Sequence, residues 1–385
     1  MQPILIAGGG IGGLAAALAL ARAGRACVVL EKAARLGEIG AGIQLGPNAF
    51  RAFDALGVGP TARAMAIEID QLRLMDAIEG GEITHIDLGA AFRARFGAPY
   101  AVIHRGELHG VLLRACEENP LISLRTGSEV VDFDQDGAGV TARLTRGDTL
   151  AGAALIGADG LWSNIRTKVV GDGPPRVSGH TTYRSVIPTE AMPEGLRWNA
   201  ATLWAGPKCH LVHYPLQGWR AFNLVVTRHN GATEPAAGRP VAFEEIMADF
   251  SHVHPVAQSI IRHGRDWKAW VLCDREPVLN WRDGRVVLLG DAAHPMLQYL
   301  AQGACMAMED AVCLGTMVAS HAGLEDALEA YQVARRLRTA RVQLMSRAVG
   351  EHVYHPAGAH AALRNAIMSA KGTDEWHEAV AWLYG

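Results

Sequence analysis

The stretch "PILIAGGGIGGLAAALALARAGRACVVLEK", residues 3–32, reads as strand, tight turn, helix, strand. Ile4, Leu5, Ile6 and Ala7 form a short continuous apolar run, as expected of a parallel strand buried on both faces. Gly8, Gly10 and Gly13 complete a G-x-G-x-x-G pattern. The first glycine permits the turn, the second lets the backbone approach a pyrophosphate, and the third lets the helix pack close to the strand. The helix N-terminus then offers free N–H groups and a positive dipole end to phosphates. Glu31 ends the next strand, about 20 positions on, where a carboxylate accepts hydrogen bonds from ribose hydroxyls. The stretch specifies a bound dinucleotide without distinguishing FAD from NAD.

The rest of the chain narrows the class. Its 385 residues suffice for a large core and suggest two or three domains. Hydrophobic residues make up 49% and charged ones 19%, the balance of a packed globular protein. A formal charge of −3 with no basic run argues against a nucleic-acid partner. Cys27, Cys116, Cys209, Cys273, Cys305 and Cys313 are scattered with no C-x-x-C pair, which suits a reducing cytoplasm better than a disulfide framework or a zinc site. The apolar N-terminus has some look of a signal peptide, but it lacks a charged start, is interrupted by glycines, and runs directly into a strand. No other apolar run reaches the roughly 18 to 20 residues that span a membrane. The expectation is a cytoplasmic protein, monomer or homodimer.

Two further segments repeat the strand-then-turn logic. "TLAGAALIGADGLWSNIRTKVV", residues 149–170, puts Asp159-Gly160 at the end of an apolar strand, with Ser163 and Arg166 opening a helix. "GRVVLLGDAAHP", residues 284–295, runs a buried strand into Gly290-Asp291. A carboxylate at a strand's carboxyl end, beside a helix N-terminus, is placed to hold hydroxyls of a polyol chain. "GAGVTA", residues 137–142, formally matches G-x-G-x-x-A, but it lies between polar "DFDQD" and alternating "VTARL" and reads as a hairpin turn. With no second credible dinucleotide turn, a reductase with separate FAD and NAD domains is disfavoured.

Gly8-x-Gly10-x-x-Gly13, Asp159-Gly160 and Gly290-Asp291, in that order and spacing, resemble the three fingerprints of the single-component flavin-dependent aromatic hydroxylases, the class A flavoprotein monooxygenases. The resemblance runs along nearly the whole chain. It implies that one extended FAD joins the two ends of the sequence. Glu31 would hold the adenosine ribose, Arg105 would lie near the pyrophosphate, Asp291 would bind the ribityl chain, and Asp159 would serve both FAD and NAD(P)H use. Gly303 and Ala304 would open a helix pointing at the flavin. The implied fold is α/β: a Rossmann-like FAD-binding domain (1–70, 101–175 and 272–345), an inserted substrate-binding β-sheet domain (71–100 and 176–271), and a C-terminal helical segment (346–385). The alternations in "TTYRSVI", "AATLWAG", "CHLVHYPL" and "RAFNLVVT" are the strands of that sheet.

A hydroxylase of this kind takes electrons from NADH or NADPH, activates O2 on FAD, and transfers an electrophilic oxygen to an activated ring. A phenol is activated by deprotonation, so the site needs a base, polar anchors and apolar walls. In "GPKCHLVHYPL", residues 206–216, period-two alternation puts His210, Val212 and Tyr214 on one face and Cys209, Leu211 and His213 on the other. His210 is the candidate base. A metal reading of Cys209, His210 and His213 lacks a further ligand, so no metal is expected. Histidines 252, 254, 352, 355 and 360 receive no role.

"HPMLQYLAQGA", residues 294–304, departs from most of the family, which carries a proline at position 298 and a glycine at 301; this chain has Gln298 and Ala301, and keeps Gly303. That variant, with "CH-x-x-x-YPL", "DREP" and "FGAPY-x-x-x-HR", resembles the group that converts 3-hydroxybenzoate to gentisate with NADH. Salicylate hydroxylases, which more often keep the proline and glycine, are the alternative, with hydroxynicotinate monooxygenases behind them. By the resemblance His210 and Gln298 meet the phenol, while Tyr214, Val212, Asp76, Tyr100, Pro295 and Leu297 surround a small aromatic acid.

Overall fold

The computed structural model describes residues 2–37 and 41–385. Strands Ile4–Ala7, Ala154–Gly157 and Val286–Leu288 lie side by side and parallel in one six-stranded sheet, with Cys27–Leu30 and Ile122–Arg125 completing its other flank. Ala7 pairs with Gly157, and Gly157 with Leu288, so the three strands end level. The carboxyl ends of an open parallel sheet are where ligands bind. The three motifs, far apart in sequence, are thereby delivered to one edge.

Helix Ile11–Arg22 is alanine-rich and buried from Gly13 to Ala21. Small residues let its neighbours come close: a Cβ on Gly13 would stand 1.9 Å from the Gly8 carbonyl oxygen, and one on Gly315, in helix Gly303–Ser320, 2.8 Å from the Ala19 carbonyl oxygen. Residues 130–135, 140–144 and 149–152 form a separate three-stranded meander, so "GAGVTA" is the hairpin its surroundings predicted.

The second large sheet has eight strands in the order Ala237–Pro240, Lys268–Asp274, Arg176–Pro188, Ala221–Ala232, Cys209–Leu216, Ala200–Gly206, Gln71–Asp76, Glu82–Asp87. All four segments with predicted alternation are strands within it. Its back face carries Leu211, Trp204, Phe222 and Leu224 into a core with helices Phe243–Phe250 and Pro255–His263. Its front face looks toward the ends of the parallel strands. The long helix Leu324–Val349 passes through a π-helical turn, Gly350–Tyr354, before helices Gly358–Ser369 and Thr373–Tyr384. No helix among the described residues is long and apolar enough to cross a membrane.

Candidate active site

A cavity of about 610 Å³ lies between the two sheets. On one side it meets Gly10, Gly12, Ala158, Gly160 and Asp291 from the three strand ends, together with Arg105, the first residue of helix Arg105–Glu117. This half is a cradle shaped for close backbone approach. Gly8 has φ +105°, and a Cβ there would fall 2.3 Å from the Ala158 carbonyl oxygen. Helix Ile11–Arg22 has no side-chain cap, so its first N–H groups remain available to phosphates. Gly303 and Ala304, at the start of the likewise uncapped helix Gly303–Ser320, also line the cavity. These donors, with the Asp291 carboxylate open to the cavity, suit a group bearing phosphates and hydroxyls, and the cradle fits FAD.

The loop carrying Asp291 is fixed from behind. Asp310, fully buried in the middle of its helix, accepts from the Gly290 N–H at 3.1 Å, pairs with His294 at 2.5 Å and accepts from Arg335 Nε at 2.6 Å. Burial works to raise its carboxyl, but His294 and Arg335 overcome it and hold the pKa at about 2. Asp291, by contrast, is pushed above the ordinary carboxylate value by its depth in the molecule, against the pull of His294 and Arg105. Arg166, wholly buried, donates to the carbonyls of Ala292 and Ala293 at 3.0 and 2.5 Å and so ties the second motif to the third.

Facing these elements, His210, Val212 and Tyr214 project from strand Cys209–Leu216 into the cavity, with Leu203 and Val225 beside Val212 on the flanking strands. Cys209 and Leu211 turn to the opposite core, and His213 accepts from Trp204 Nε1 at 3.2 Å. Gln298 enters from the loop after the third motif. Its Nε2 donates to Thr182 and Thr227 at 2.9 and 3.1 Å, while its Oε1 accepts from Arg184 at 3.1 Å. An arginine can only donate, so the amide orientation is forced and one Oε1 lone pair is left. Ala301, three residues on, holds φ +52°, a left-handed conformation costing a non-glycine residue roughly 1–2 kcal/mol. The glycine more common at that position would relieve it.

Tyr100 and Leu297 also line the cavity; the Tyr100 hydroxyl donates to Gln44 Oε1 at 2.8 Å. Four expected contacts do not line this cavity. Glu31 accepts from the N–H groups of Gly9 and Ala33 at 2.7 and 2.8 Å, bracing the glycine turn. Asp159 accepts from the Ser163 hydroxyl at 2.6 Å and from the Ile165 N–H at 3.3 Å, which fixes the helix start. Pro295 is buried, its carbonyl accepting from Gln343. Asp76 is the clearest departure: it accepts from the Ile78 and Glu79 N–H groups of its own turn and from Asn365 at 3.2 Å, outside the cavity.

Two residues without a predicted role belong to the site. Arg184 lines the cavity over Trp270 with a buried, unpartnered Nε and no carboxylate pair among the described residues. Burial lowers its pKa from the usual arginine value. His355, set aside as a loop histidine, meets His210 Nδ1 through its Nε2 at 2.7 Å. Burial, with His355 and His180 nearby, drives the His210 pKa well below the ordinary imidazole value. No group of residues suited to a metal ion occurs among the described residues.

Residues 1–346 match the FAD binding domain family. The chain belongs to that family and is an FAD-dependent aromatic hydroxylase of the single-component class. Among its relatives is 3-hydroxybenzoate 6-hydroxylase 1 of Aquipseudomonas alcaligenes, 55% identical over 382 residues that cover 99% of this chain and 97% of that protein. The 3-hydroxybenzoate 6-hydroxylase of Polaromonas naphthalenivorans is 48% identical over 384 residues, covering 100% and 96%. Klebsiella pneumoniae HpxO, solved with FAD and uric acid, superposes with a TM-score of 0.87 at 25% identity, covering 100% of this chain and 97% of that one. A salicylate hydroxylase substrate complex shares the fold at a TM-score of 0.84 and 24% identity, covering 100% and 95%.

Proposed function

We propose that this enzyme uses NADH and O2 to hydroxylate 3-hydroxybenzoate para to its phenol oxygen, giving gentisate. The observation that carries the reading is the convergence of His210, Gln298 and Arg184 on the wall of a cavity whose other end is the FAD cradle. FAD, when bound, supplies the electron transfer from the nicotinamide to O2 and the electrophilic oxygen. Gly8, Gly10, Gly13 and Arg105 would hold its pyrophosphate, Glu31 its adenosine ribose, Asp291 its ribityl hydroxyls, and Gly303 and Ala304 its ring. Asp159 would support the turn beneath it. The names of the full-length relatives supply the particular substrate and the preference for it over salicylate. The six cysteines are all free, which supports a cytoplasmic location.

The protein's own groups do the rest. Gln298, with its amide hydrogens donated to Thr182 and Thr227 and its Oε1 accepting from Arg184, fixes the wall against which the phenol oxygen is oriented. His210, neutral at pH 7 because its pKa is depressed, takes the phenol proton at Nε2. Val212, Leu203 and Leu297 keep water from the ring, and Tyr214 and Tyr100 close its flanks. Arg184 gives the site the positive charge that an aromatic acid needs, at a place where desolvation strengthens the pairing.

Binding tests this directly through the flavin absorbance of the loaded enzyme. 3-Hydroxybenzoate perturbs the spectrum, and Arg184→Met weakens its binding about 10- to 100-fold, the worth of a charge-assisted pair. The neutral analogue 3-hydroxybenzyl alcohol binds both proteins alike. Equal weakening of acid and alcohol would remove Arg184 from the carboxylate, and a spectrum unmoved by 3-hydroxybenzoate would refute the substrate assignment.

A further inference from the structure

We propose that His355 is a positioning and relay residue: it takes at Nε2 the proton that His210 gives up from Nδ1 as substrate is deprotonated, and passes it out of the cavity. The inference rests on the phenol-hydroxylating reading above. It begins from a problem of burial. His210 is 1% exposed, and an imidazolium sealed there has no carboxylate partner among the described residues. Such a base is a poor place to store a proton, but two joined neutral imidazoles can conduct one.

The geometry supplies the conductor. His210 and His355 meet nitrogen to nitrogen at 2.7 Å, with their rings tilted by only 25°. His355 is held by its position after the π-helical turn. Its N–H donates to the Gly350 carbonyl at 3.1 Å, and its carbonyl accepts from the N–H of Lys208, two residues before His210, at 3.2 Å. The turn itself requires glycine, since a Cβ on Gly350 would come within 2.7 Å of the Tyr299 ring. π-turns inside helices often mark functional positions. Here one aims a side chain 145 residues away in sequence at the candidate base.

Every ring packed around the pair is neutral at pH 7 or uncharged by nature. His180, from strand Arg176–Pro188, lies 5.1 Å from His355 and bonds the Tyr299 hydroxyl at 2.9 Å; Tyr299 and Tyr354 pack against His210. His229, 4.5 Å from His180, reaches solvent, while the charges of Arg176 and Asp274 act on His180 from the far side. Burial, reinforced by neighbouring imidazoles, lowers His355 to about 3 and His180 to about 4.

The step balances without an imidazolium. The substrate O–H bond breaks as His210 Nε2–H forms; His210 Nδ1–H breaks as His355 Nε2–H forms; His355 Nδ1–H breaks and solvent water accepts the proton from His355, which is 8% exposed. The hydrogen bond between the two rings reverses polarity. His210 is left with an Nε2–H that donates to the new phenolate oxygen, which holds the ring in its nucleophilic form.

The experiment follows the phenolate absorption of 3-hydroxybenzoate bound to the oxidised, flavin-loaded enzyme by stopped flow, with His355→Phe and His355→Gln beside wild type. Flavin content and thermal midpoint report folding of each variant. Wild type develops the phenolate band at pH 7. Both variants lose it, regain it at higher pH, and show kcat lowered about 100-fold with KM little changed. Glutamine keeps a hydrogen bond to His210 but cannot pass a proton through, so rescue by His355→Gln would mean a structural role and overturn the relay. A full band at wild-type rate in His355→Phe would overturn it as well. A band absent from wild type would overturn the substrate reading and the relay together.

Discussion

His210→Ala lowers hydroxylation by about 10²- to 10⁴-fold, the usual contribution of a positioned proton acceptor, while flavin content stays at the wild-type level. The separation follows from where the residue sits. His210 projects from the eight-stranded sheet, whereas the cofactor cradle is built from the ends of the parallel strands and the helices behind them. Truncation empties part of the substrate end and leaves the Gly290–Asp310–Arg335 bracing untouched. Because the lost interaction forms only as the ring is activated, kcat and kcat/KM fall together. NADH oxidation without matching product formation should then dominate, and parallel assays of nicotinamide consumption and hydroxylated product check this. Full coupled turnover in the variant would remove His210 from the proton path.

The second large effect is acid lability. Burial lowers His180 to about 4, with His229 adding to it, and lowers His213 and His355 each to about 3; His210 is lowered too. In the unfolded chain these imidazoles take up protons near the ordinary value of about 6.5. Below that pH the unfolded state therefore binds more protons than the native one, and stability falls as pH falls. Each such group contributes a slope of about 1.4 kcal/mol per pH unit between its unfolded and folded values. Two units below the unfolded value, His213 and His355 together remove roughly 5 kcal/mol, a large part of the stability of a typical domain, and the partly exposed His180 adds less because solvent screens it. Asp310, held at about 2, would contribute its own loss only below the unfolded carboxylate value. Denaturant unfolding between pH 7.5 and 4.5 should show a steep drop beginning near 6. A flat profile to pH 4.5 would mean that these histidines are not buried as neutral groups.

What the sequence made legible divides along physical lines. The glycine turn, the two carboxylates at strand ends and the face shared by His210, Val212 and Tyr214 each follow from backbone sterics or from a period of two, both local properties. Gln298 stood out by resemblance, as a polar residue where most of the family has proline, and the structure gives it three partners. Arg184 left a faint local signal, a charge inside the apolar alternation "TTYRSVI". Asp310 left one too, as an acid amid an otherwise apolar helix face. His355 left none. Its role depends on a π-turn and on contact with a strand 145 residues away, and neither has a periodicity to read. Asp76 shows the opposite case, where resemblance suggested a pocket residue and the carboxylate serves its own turn and Asn365.

The central claim is that the cavity between the strand ends and the sheet accepts a phenolic acid and directs oxygen to the ring carbon para to its hydroxyl. Oxygen uptake by the purified flavin-loaded enzyme with NADH, comparing 3-hydroxybenzoate with salicylate and identifying products by chromatography, tests it most directly. Stimulated uptake with 3-hydroxybenzoate and gentisate formed in step with NADH consumed is the predicted result. Catechol from salicylate, with no gentisate from 3-hydroxybenzoate, would contradict it.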